Sequence, residues 1–318
     1  MAAAELAERL RSGDRRALAQ AITLAESTLL EQRQQAELLL GELLPHTGGA
    51  HRVAVTGPPG AGKSTLVDAL GALELQQGRR VAVLAIDPAS AISRGSLLGD
   101  AVRMQRLAAS EHAFVRASSN ARTLGGTAPG TREAVLLCEA AGFETVLVET
   151  VGVGQAEQQA FDVCDTLLVL SVAGGGDEIQ GMKRGLFEVA DALIVNKADG
   201  AGLEAARAFA GELSGALALL RPSSAPHVAA VSAQTGAGVS ELRSWLVSRA
   251  ARLRESGELF ERRKEQLKRA LHAELARELS RRVATRAATL LPELEAAVLA
   301  GEQLPSVAAR QLLDRLLG

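Results

Sequence analysis

Residues 57–65 read GPPGAGKST and directly follow the apolar run HRVAVT at residues 51–56. This stretch fits the pattern G-x-x-x-x-G-K-[ST], a loop whose backbone N–H groups turn inward around a polyphosphate. The apolar residues after it predict a helix, whose N-terminus adds a positive dipole end. We expect Lys63 to reach the β- and γ-phosphates and the Ser64 hydroxyl to bind Mg²⁺. The predicted phosphate-binding residues are Gly57, Pro58, Gly60, Ala61, Gly62, Lys63, Ser64 and Thr65.

Short apolar runs rich in Val, Leu and Ile alternate with helical stretches through the middle of the chain. Continuous apolarity indicates strands covered on both faces, and the alternation is typical of a mostly parallel sheet flanked by helices. We therefore predict an α/β fold of the P-loop nucleotide hydrolase type. The predicted strands are Arg52–Thr56, Val81–Ile86, Thr145–Glu149, Thr166–Val172, Ala192–Asn196, Val228–Ser232 and, from a weaker pattern, Ala113–Ala117.

Both ends of the chain have helical patterns. The stretch from Glu5 to Leu44 predicts two helices, separated at residues 12–14, with Asp14 capping the second. Toward the other end, a stripe of apolar side chains recurs every four residues, at Leu267, Leu271, Leu275, Leu279 and Val283. Such a stripe could pack on the main domain or form a dimerisation arm, and its pattern fits both.

We accordingly divide the chain into three parts. Residues 1–48 are predicted to form an N-terminal helical extension, residues 49–255 the domain that contains the phosphate loop, and residues 256–318 a C-terminal helical extension.

Composition argues against several classes of function. The chain of 318 residues is 47% hydrophobic and 23% charged, as expected of a globular protein, and its formal net charge is −2. This balance argues against bulk attraction to nucleic acid or to an anionic membrane. Aromatic residues make up 2% of the chain, which leaves few platforms for base stacking. Cys138 and Cys164 are isolated, and neither a secretion signal nor an apolar membrane span is evident, so we expect a cytoplasmic protein.

The motif NKAD at residues 196–199 ends a predicted strand. The Asp199 carboxylate there can accept both the N1 and the N2 hydrogens of guanine, a pair that adenine lacks. We expect Lys197 to lie along the base plane and Asn196 to tie adjacent loops together. Ser232-Ala233 closes the next predicted strand and could donate a backbone N–H to guanine O6. Together these residues predict GTP as the ligand.

Acidic residues at the ends of other predicted strands are candidates for the metal site. Glu149, in the segment VLVETVGVG at residues 146–154, is expected to hold Mg²⁺ through water, with the Gly152 N–H contacting the γ-phosphate. Either Asp87 or Asp100 could complete the metal shell; for Asp100, a helix-capping or solvated position is the less favoured alternative. The predicted catalytic residues are Lys63, Asp87, Asp100, Glu149 and Gly152, and the predicted metal ligands are Ser64, Asp87, Asp100 and Glu149.

The segment AGGGDEIQGMKRG at residues 173–185 follows an apolar strand and fits neither a strand nor a helix start. Its glycines precede a cluster of polar and charged side chains. Loops of this kind usually move or bind.

These segments resemble the MeaB (ArgK/MMAA) family of SIMIBI-class GTPases, which act as chaperones of cobalamin-dependent acyl-CoA mutases. The resemblance covers essentially the full length. It is most specific in ETVGVGQAE at residues 149–157 and in AGGGDEIQGMKRG, and it also includes IDPAS at 86–90 and GSLLGDAVRM at 95–104. The resemblance implies that Lys63, Ser64, Asp87, Asp100 and Glu149 are the nucleotide and metal positions for GTP or GDP with Mg²⁺.

The resemblance also implies partners. Residues 173–185 match a third switch that relays the nucleotide state to the mutase, with Asp177, Glu178, Gln180 and Lys183 as its polar residues. Members are typically homodimers with helical extensions, so the resemblance implies that residues 49–255 are a P-loop GTPase domain and residues 256–318 a C-terminal helical dimerisation extension. Their slow GTP hydrolysis is stimulated by the mutase. They gate the delivery of adenosylcobalamin and protect or repair the mutase. The resemblance favours methylmalonyl-CoA mutase as the client and leaves isobutyryl- and ethylmalonyl-CoA mutase as alternatives. A cobalamin adenosyltransferase is a second candidate partner.

Two other functions would use the same nucleotide-binding domain. A nickel-type metallochaperone GTPase would normally carry clustered His and Cys, whereas the five His and two Cys of this chain are scattered. A transport-associated ATP-dependent kinase, a label once attached to the ArgK branch, conflicts with NKAD. A comparison of GTP and ATP affinity tests that alternative, because a kinase of this kind would prefer ATP.

Overall fold

The computed structural model describes residues 3–87, 104–119, 130–150, 160–174, 184–222, 224–287 and 289–317. These residues form two compact units, one ending at Lys264 and the other beginning at Glu265. The described strands are β1 (His51–Thr56), β2 (Val81–Asp87), β3 (Ala113–Ser119), β4 (Thr145–Thr150), β5 (Thr166–Val172), β6 (Ala192–Asn196) and β7 (His227–Ala230). All pair in parallel in one sheet of order β3-β2-β4-β1-β5-β6-β7. The predicted parallel α/β architecture is thereby confirmed.

Helices surround this sheet. In the first unit they are α1 (Ala3–Arg11), α2 (Arg15–Ala25), α3 (Leu30–Leu43), α4 (Lys63–Gln76), α5 (Gln105–Ala108), α6 (Thr131–Ala140), α7 (Arg184–Val189), α8 (Leu203–Leu220) and α9 (Val239–Glu255). Helix α10 (Glu258–Ala287) begins in the first unit and continues into the second, where α11 (Leu291–Leu299) and α12 (Pro305–Leu317) follow. Short 3-10 turns occur at Leu44–His46 and Gly200–Gly202.

The sheet has an apolar core on each face. Along β4, Val146 and Val148 belong to one core while Leu147 belongs to the other, as the alternation of side chains along a strand requires. The first core also contains Leu18 of α2 and Leu39 of α3, both almost completely buried. Full burial of one such leucine stabilises the fold by about 1.5–3 kcal/mol. The N-terminal helices therefore share a core with the sheet.

The N-terminal stretch contains three helices, so the prediction of two was wrong. Asp14 caps α2 as predicted, accepting hydrogen bonds from the Arg16 and Ala17 N–H groups at 2.8 and 3.2 Å. The unexpected break follows Ala25. There the Ser27 hydroxyl accepts a hydrogen bond from the Leu29 N–H at 3.1 Å, a local turn that competes with helix continuation.

The predicted last strand, Val228–Ser232, is displaced toward its N-terminus. Strand β7 ends at Ala230 because the chain turns back afterwards, with the Ser232 N–H donating to the Ala237 carbonyl at 2.8 Å. This turn moves Ser232 out of the sheet.

The second unit has a small core formed by Ala287, Leu294, Ala308 and Leu312. On α10, Leu267, Leu271, Leu275 and Leu279 are 60, 68, 54 and 51% exposed. Four leucines at helical spacing thus form an exposed apolar stripe. Within the described residues, no helix combines the length and apolarity needed to cross a bilayer.

Buried ion pairs connect the first turns of α10 to the sheet. Arg263 binds both carboxylate oxygens of Asp165, with Nε–Oδ1 and Nη2–Oδ2 distances of 2.8 and 2.7 Å. Arg262 binds Asp191 in the same bidentate manner at 2.9 and 3.2 Å. Asp165 and Asp191 immediately precede β5 and β6. These pairs therefore hold the start of α10 against the amino-terminal ends of two central strands.

Replacement of Arg263 by alanine is expected to lower the free energy of unfolding by about 3 kcal/mol, because Asp165, only 1% exposed, would remain as a buried unpaired charge. Urea denaturation measures this change. Arg282→Ala, which removes an exposed pair with Glu278, is the control and should lower the free energy of unfolding far less, because solvent screens exposed pairs. If both variants lost the same free energy of unfolding, the burial of the Arg263–Asp165 pair could not be the reason for the expected loss.

Candidate functional site

The chemistry-bearing segments converge at the carboxyl edge of the sheet. Because all the strands are parallel, the segments after β1, β4, β6 and β7 leave the sheet at the same edge. This is the edge at which open α/β sheets bind ligands. The phosphate loop follows β1, and α4 begins within it at Lys63.

The shape of the phosphate loop requires glycine at two positions. Gly57 and Gly62 have φ values of 145° and 89°, which side-chain-bearing residues rarely adopt. A Cβ at Gly57 would collide with the Leu170 carbonyl oxygen on β5, and a Cβ at Gly62 would collide with the Asn196 amide nitrogen. The spacing of these glycines therefore reflects close packing of the loop against β5 and against the end of β6.

The Lys63 ammonium group lies inside this loop. The residue is 7% exposed, and Nζ donates to the Gly57 and Pro58 carbonyls at 2.8 and 3.0 Å. Hydrogen bonds of this kind make burial of the charge tolerable. The geometry concentrates positive charge at the centre of the phosphate loop.

Oxygen ligands meet beside the loop. The Ser64 hydroxyl donates to the Glu149 carboxylate with an Oγ–Oε1 distance of 2.7 Å, and Glu149 is 8% exposed near the end of β4. A hydroxyl and a carboxylate next to a phosphate site are the hard oxygen donors that Mg²⁺ prefers, so these residues fit a magnesium ion. Asp87 ends β2 at this edge. Its side chain, and the predicted residues Asp100 and Gly152, lie outside the described residues.

The predicted guanine motif is joined to the phosphate loop by Asn196. Its Nδ2 donates to the Ala61 carbonyl at 2.7 Å, and its Oδ1 accepts from the Ala233 N–H at 3.0 Å. Asn196 is 3% exposed, so both bonds are shielded from water. One amide thus links the loop that follows β1 to the loop that follows β7.

The Asp199 carboxylate is held by a neighbouring hydroxyl. Ser232 Oγ makes a short hydrogen bond to Asp199 Oδ2, and it also accepts from the Thr235 N–H at 3.1 Å. Lys197 adopts a φ of 62°, a left-handed conformation that turns the chain between Asn196 and Asp199. These contacts fix the orientation of the carboxylate.

The backbone donors predicted for guanine O6 already have acceptors. The Ser232 N–H donates to Ala237 O at 2.8 Å and the Ala233 N–H to Asn196 Oδ1 at 3.0 Å. A contact from Ala233 to O6 would therefore share its hydrogen with Asn196.

Two contacts were missed by sequence reasoning. The Ser232 hydroxyl supports Asp199, whereas only a backbone role was predicted for this residue. In addition, the Thr150 hydroxyl donates to the Thr56 hydroxyl at 2.8 Å and joins the ends of β4 and β1. Both threonines end neighbouring apolar runs, and this shared position is the signal that could have revealed the pair.

The predicted switch residues lie outside the described residues; they are Asp177, Glu178, Gln180 and Lys183. The chain enters this segment after Gly174, just beyond β5, and leaves it at α7. The switch assignment therefore remains a prediction.

Comparisons with known proteins agree on one group of relatives. A family model described as methylmalonyl Co-A mutase-associated GTPase MeaB matches residues 18–288. The chain is 45% identical over 314 residues to the "Probable GTPase Rv1496" of Mycobacterium tuberculosis, with 97% of this chain and 94% of the relative covered. It is 38% identical over 330 residues to the "Methylmalonic aciduria type A homolog, mitochondrial" of Caenorhabditis elegans, with 99 and 83% covered.

A solved structure extends the agreement to the fold. The crystal structure of an "LAO/AO transport system kinase" matches with a TM-score of 0.75 and 33% identity, and the match covers 99% of this chain and 98% of that one.

Proposed function

Because this chain belongs to the methylmalonyl-CoA mutase-associated GTPase family MeaB and is a GTPase, we propose that it is a G-protein chaperone of an adenosylcobalamin-dependent acyl-CoA mutase. The family match over residues 18–288 is the observation that carries the proposal. Methylmalonyl-CoA mutase is the favoured client, and delivery of its cofactor and protection of the enzyme are the proposed tasks. The protein would work in the cytoplasm, where its two buried cysteines would remain reduced.

The proposed hydrolysis is attack of water on the γ-phosphate of GTP. Lys63 Nζ would exchange the Gly57 and Pro58 carbonyls for phosphate oxygens and stabilise the charge that develops on them. Ser64 and Glu149 would hold Mg²⁺, which when bound neutralises charge on the phosphates. Asp199, oriented by Ser232, would fix the guanine base. Among the described residues at this edge we identify no general base. Positioning without a base is consistent with slow hydrolysis that a partner completes.

We place the contact with the mutase in the segment 173–185. It begins where β5 ends, next to β1 and the phosphate loop, and α7 leads from it into β6 and NKAD. A segment connected in this way to both ends of the nucleotide site is suited to change with the bound nucleotide. Asp177, Glu178, Gln180 and Lys183 supply the polar groups that a partner could recognise.

A homodimer is also proposed. The exposed stripe of Leu267, Leu271, Leu275 and Leu279 is the kind of apolar helix face that a second copy covers. Sedimentation velocity tests this proposal with Leu271→Glu, which should release monomers, and with Leu219→Glu on α8 as an exposed-leucine control.

The chaperone proposal is tested by GTP turnover with candidate clients. Methylmalonyl-, isobutyryl- and ethylmalonyl-CoA mutases would each be assayed for co-purification and for stimulation of GTP hydrolysis. We expect one of them to bind and to raise turnover by at least about tenfold, a smaller effect than the roughly 10³–10⁵-fold of an arginine finger. Absence of stimulation by all three would overturn the chaperone role.

Calorimetry with GTP and ATP tests the alternative of a transport-associated ATP-dependent kinase. That alternative requires the protein to bind ATP more tightly than GTP.

Ser64→Ala is expected to raise the Mg²⁺ concentration needed for half-maximal GTP turnover by about 10–100-fold, since the variant loses an oxygen ligand. A magnesium titration of turnover measures the change. Ser244→Ala, which removes an exposed hydroxyl of α9 that bonds only to the Ser240 carbonyl among the contacts described, is the control. An unchanged magnesium dependence in Ser64→Ala would remove Ser64 from the metal site.

A further inference from the structure

A cavity of about 410 Å³ lies at the amino-terminal edge of the sheet, opposite the phosphate loop. Its walls come from the first residues of β1 and β4, from the end of α4 and from one side of α9. Six residues of β1 separate this edge from the phosphate loop, a distance of about 20 Å. The cavity is therefore independent of the nucleotide site, and its volume lies in the range of small-molecule sites, about 300–1,000 Å³.

One part of the lining is apolar and the other is polar. Leu70, Leu147 and Leu246 contribute buried side chains to the apolar part. His51 also lines the cavity, and its Nε2 lies 3.0 Å from the Thr166 hydroxyl. Burial lowers the pKa of His51 to about 4, so the ring is neutral near pH 7. His51 therefore adds a polar but uncharged group.

The charges of the lining do not balance. Its three arginines, Arg79, Arg243 and Arg254, face two glutamates, Glu74 and Glu144, which leaves one positive charge in excess. The Glu74 carboxylate is already used, because Arg243 Nε lies 2.7 Å from Oε1 and Arg79 Nη1 lies 3.6 Å from Oε2. The other glutamate of the lining, Glu144, accepts a hydrogen bond from the Arg80 N–H at 3.4 Å.

Arg254 is the lining arginine that does not belong to the Glu74 cluster. Its Nη2 donates to the Gly49 carbonyl at 3.2 Å, and within the described part of the chain no carboxylate lies within ion-pair distance of its guanidinium group. A guanidinium group presents several donors in one plane and binds carboxylates and phosphates in a bidentate manner. As an exposed residue of the lining, Arg254 is placed to receive an anion whose remaining part lies along the apolar part of the cavity.

We propose that this cavity binds a small organic anion, in which a carboxylate or phosphate group is joined to a short apolar body. The anionic group contacts Arg254, and the apolar body lies against Leu70, Leu147 and Leu246. The proposal does not depend on the identity of the mutase or on GTP hydrolysis.

Calorimetry on the full-length protein saturated with GDP tests this site, because GDP occupies the phosphate loop and removes it as a competing anion site. The probes are hexyl phosphate, hexanoate, inorganic phosphate and hexanol. We expect saturable binding of hexyl phosphate, hexanoate or both, and at least tenfold weaker binding of inorganic phosphate and hexanol. The stronger of the first two identifies the anionic group.

Two variants locate the site. Arg254→Gln should weaken binding of the preferred anion about tenfold, whereas Arg252→Gln removes the same charge from an exposed position of α9 outside the lining and should leave binding unchanged. Thermal melting of both variants checks that the fold is retained, as expected for exposed side chains. The proposal is overturned if neither organic anion binds, if inorganic phosphate binds as tightly as hexyl phosphate, or if the two variants behave alike.

Discussion

Replacing Lys63 with alanine is expected to reduce GTP turnover about a thousandfold. The ammonium group is the positive charge held inside the phosphate loop, and loss of one such preorganised group costs about 10²–10³ in rate. Steady-state phosphate release measures the effect. Lys264→Ala removes an exposed lysine that pairs with Glu261 and should leave turnover unchanged.

The loss must be separated from unfolding, because Lys63 also bonds to two loop carbonyls. Thermal melting and far-UV circular dichroism of Lys63→Ala should show a folded protein, and calorimetry should show GDP binding that is weakened but measurable. Turnover at the wild-type rate in this variant would overturn the assignment of residues 57–65 as the catalytic phosphate loop.

Asp199→Asn should lower the affinity for GDP about a thousandfold and transfer preference to XDP. The carboxylate accepts two hydrogen bonds from guanine at about 2 kcal/mol each. The asparagine oxygen keeps the bond from N1–H, so one bond is lost, and the unsatisfied donors cost about 2 kcal/mol more, which gives about 4 kcal/mol in all. The asparagine amide would instead direct an N–H group at the guanine amino group. Xanthine has a carbonyl oxygen at that position and can accept the hydrogen bond.

Competition of GDP, XDP and ADP against a fluorescent nucleotide measures this switch. Exposed Asp314→Asn is the control and should bind GDP like the wild type. Ser232→Ala, which removes the hydroxyl that orients Asp199, should weaken GDP binding about tenfold without changing the preferred base. Retention of GDP preference by Asp199→Asn would remove this residue from the base site.

The fold could be predicted from sequence where local pattern and tertiary environment agree. Strands β5 and β6 occupy the predicted residues because they are buried on both faces and their apolar runs are continuous. The end of β7 was missed because Ser232 turns out of the sheet to reach Ala237 and Asp199, and an apolar pattern does not reveal such contacts. The break after Ala25 was hidden in a similar way, since Ser27 forms a turn inside a helical pattern.

In the candidate site, too, the local motifs could be predicted from sequence and the long-range contacts could not. The motif around Lys63 and the motif around Asp199 each imply a ligand group by their own chemistry. The structure adds that Asn196 joins them across 135 residues of sequence. Arg263 and Asp165 were not predicted because 98 residues separate them and neither belongs to a local motif. Only folding brings such pairs together.

Asn196 also has a thermodynamic consequence. Its amide bonds to the phosphate loop on one side and to the 232–235 loop on the other, so restricting the motion of one loop restricts the motion of the other. Binding of a nucleotide that contacts both loops therefore orders them at the cost of one shared loss of conformational entropy. Guanosine alone or free phosphate alone would each have to order the same two loops, so each fragment meets that cost by itself. We therefore expect the intact nucleotide to bind more tightly than its fragments do by an amount that includes this shared entropy.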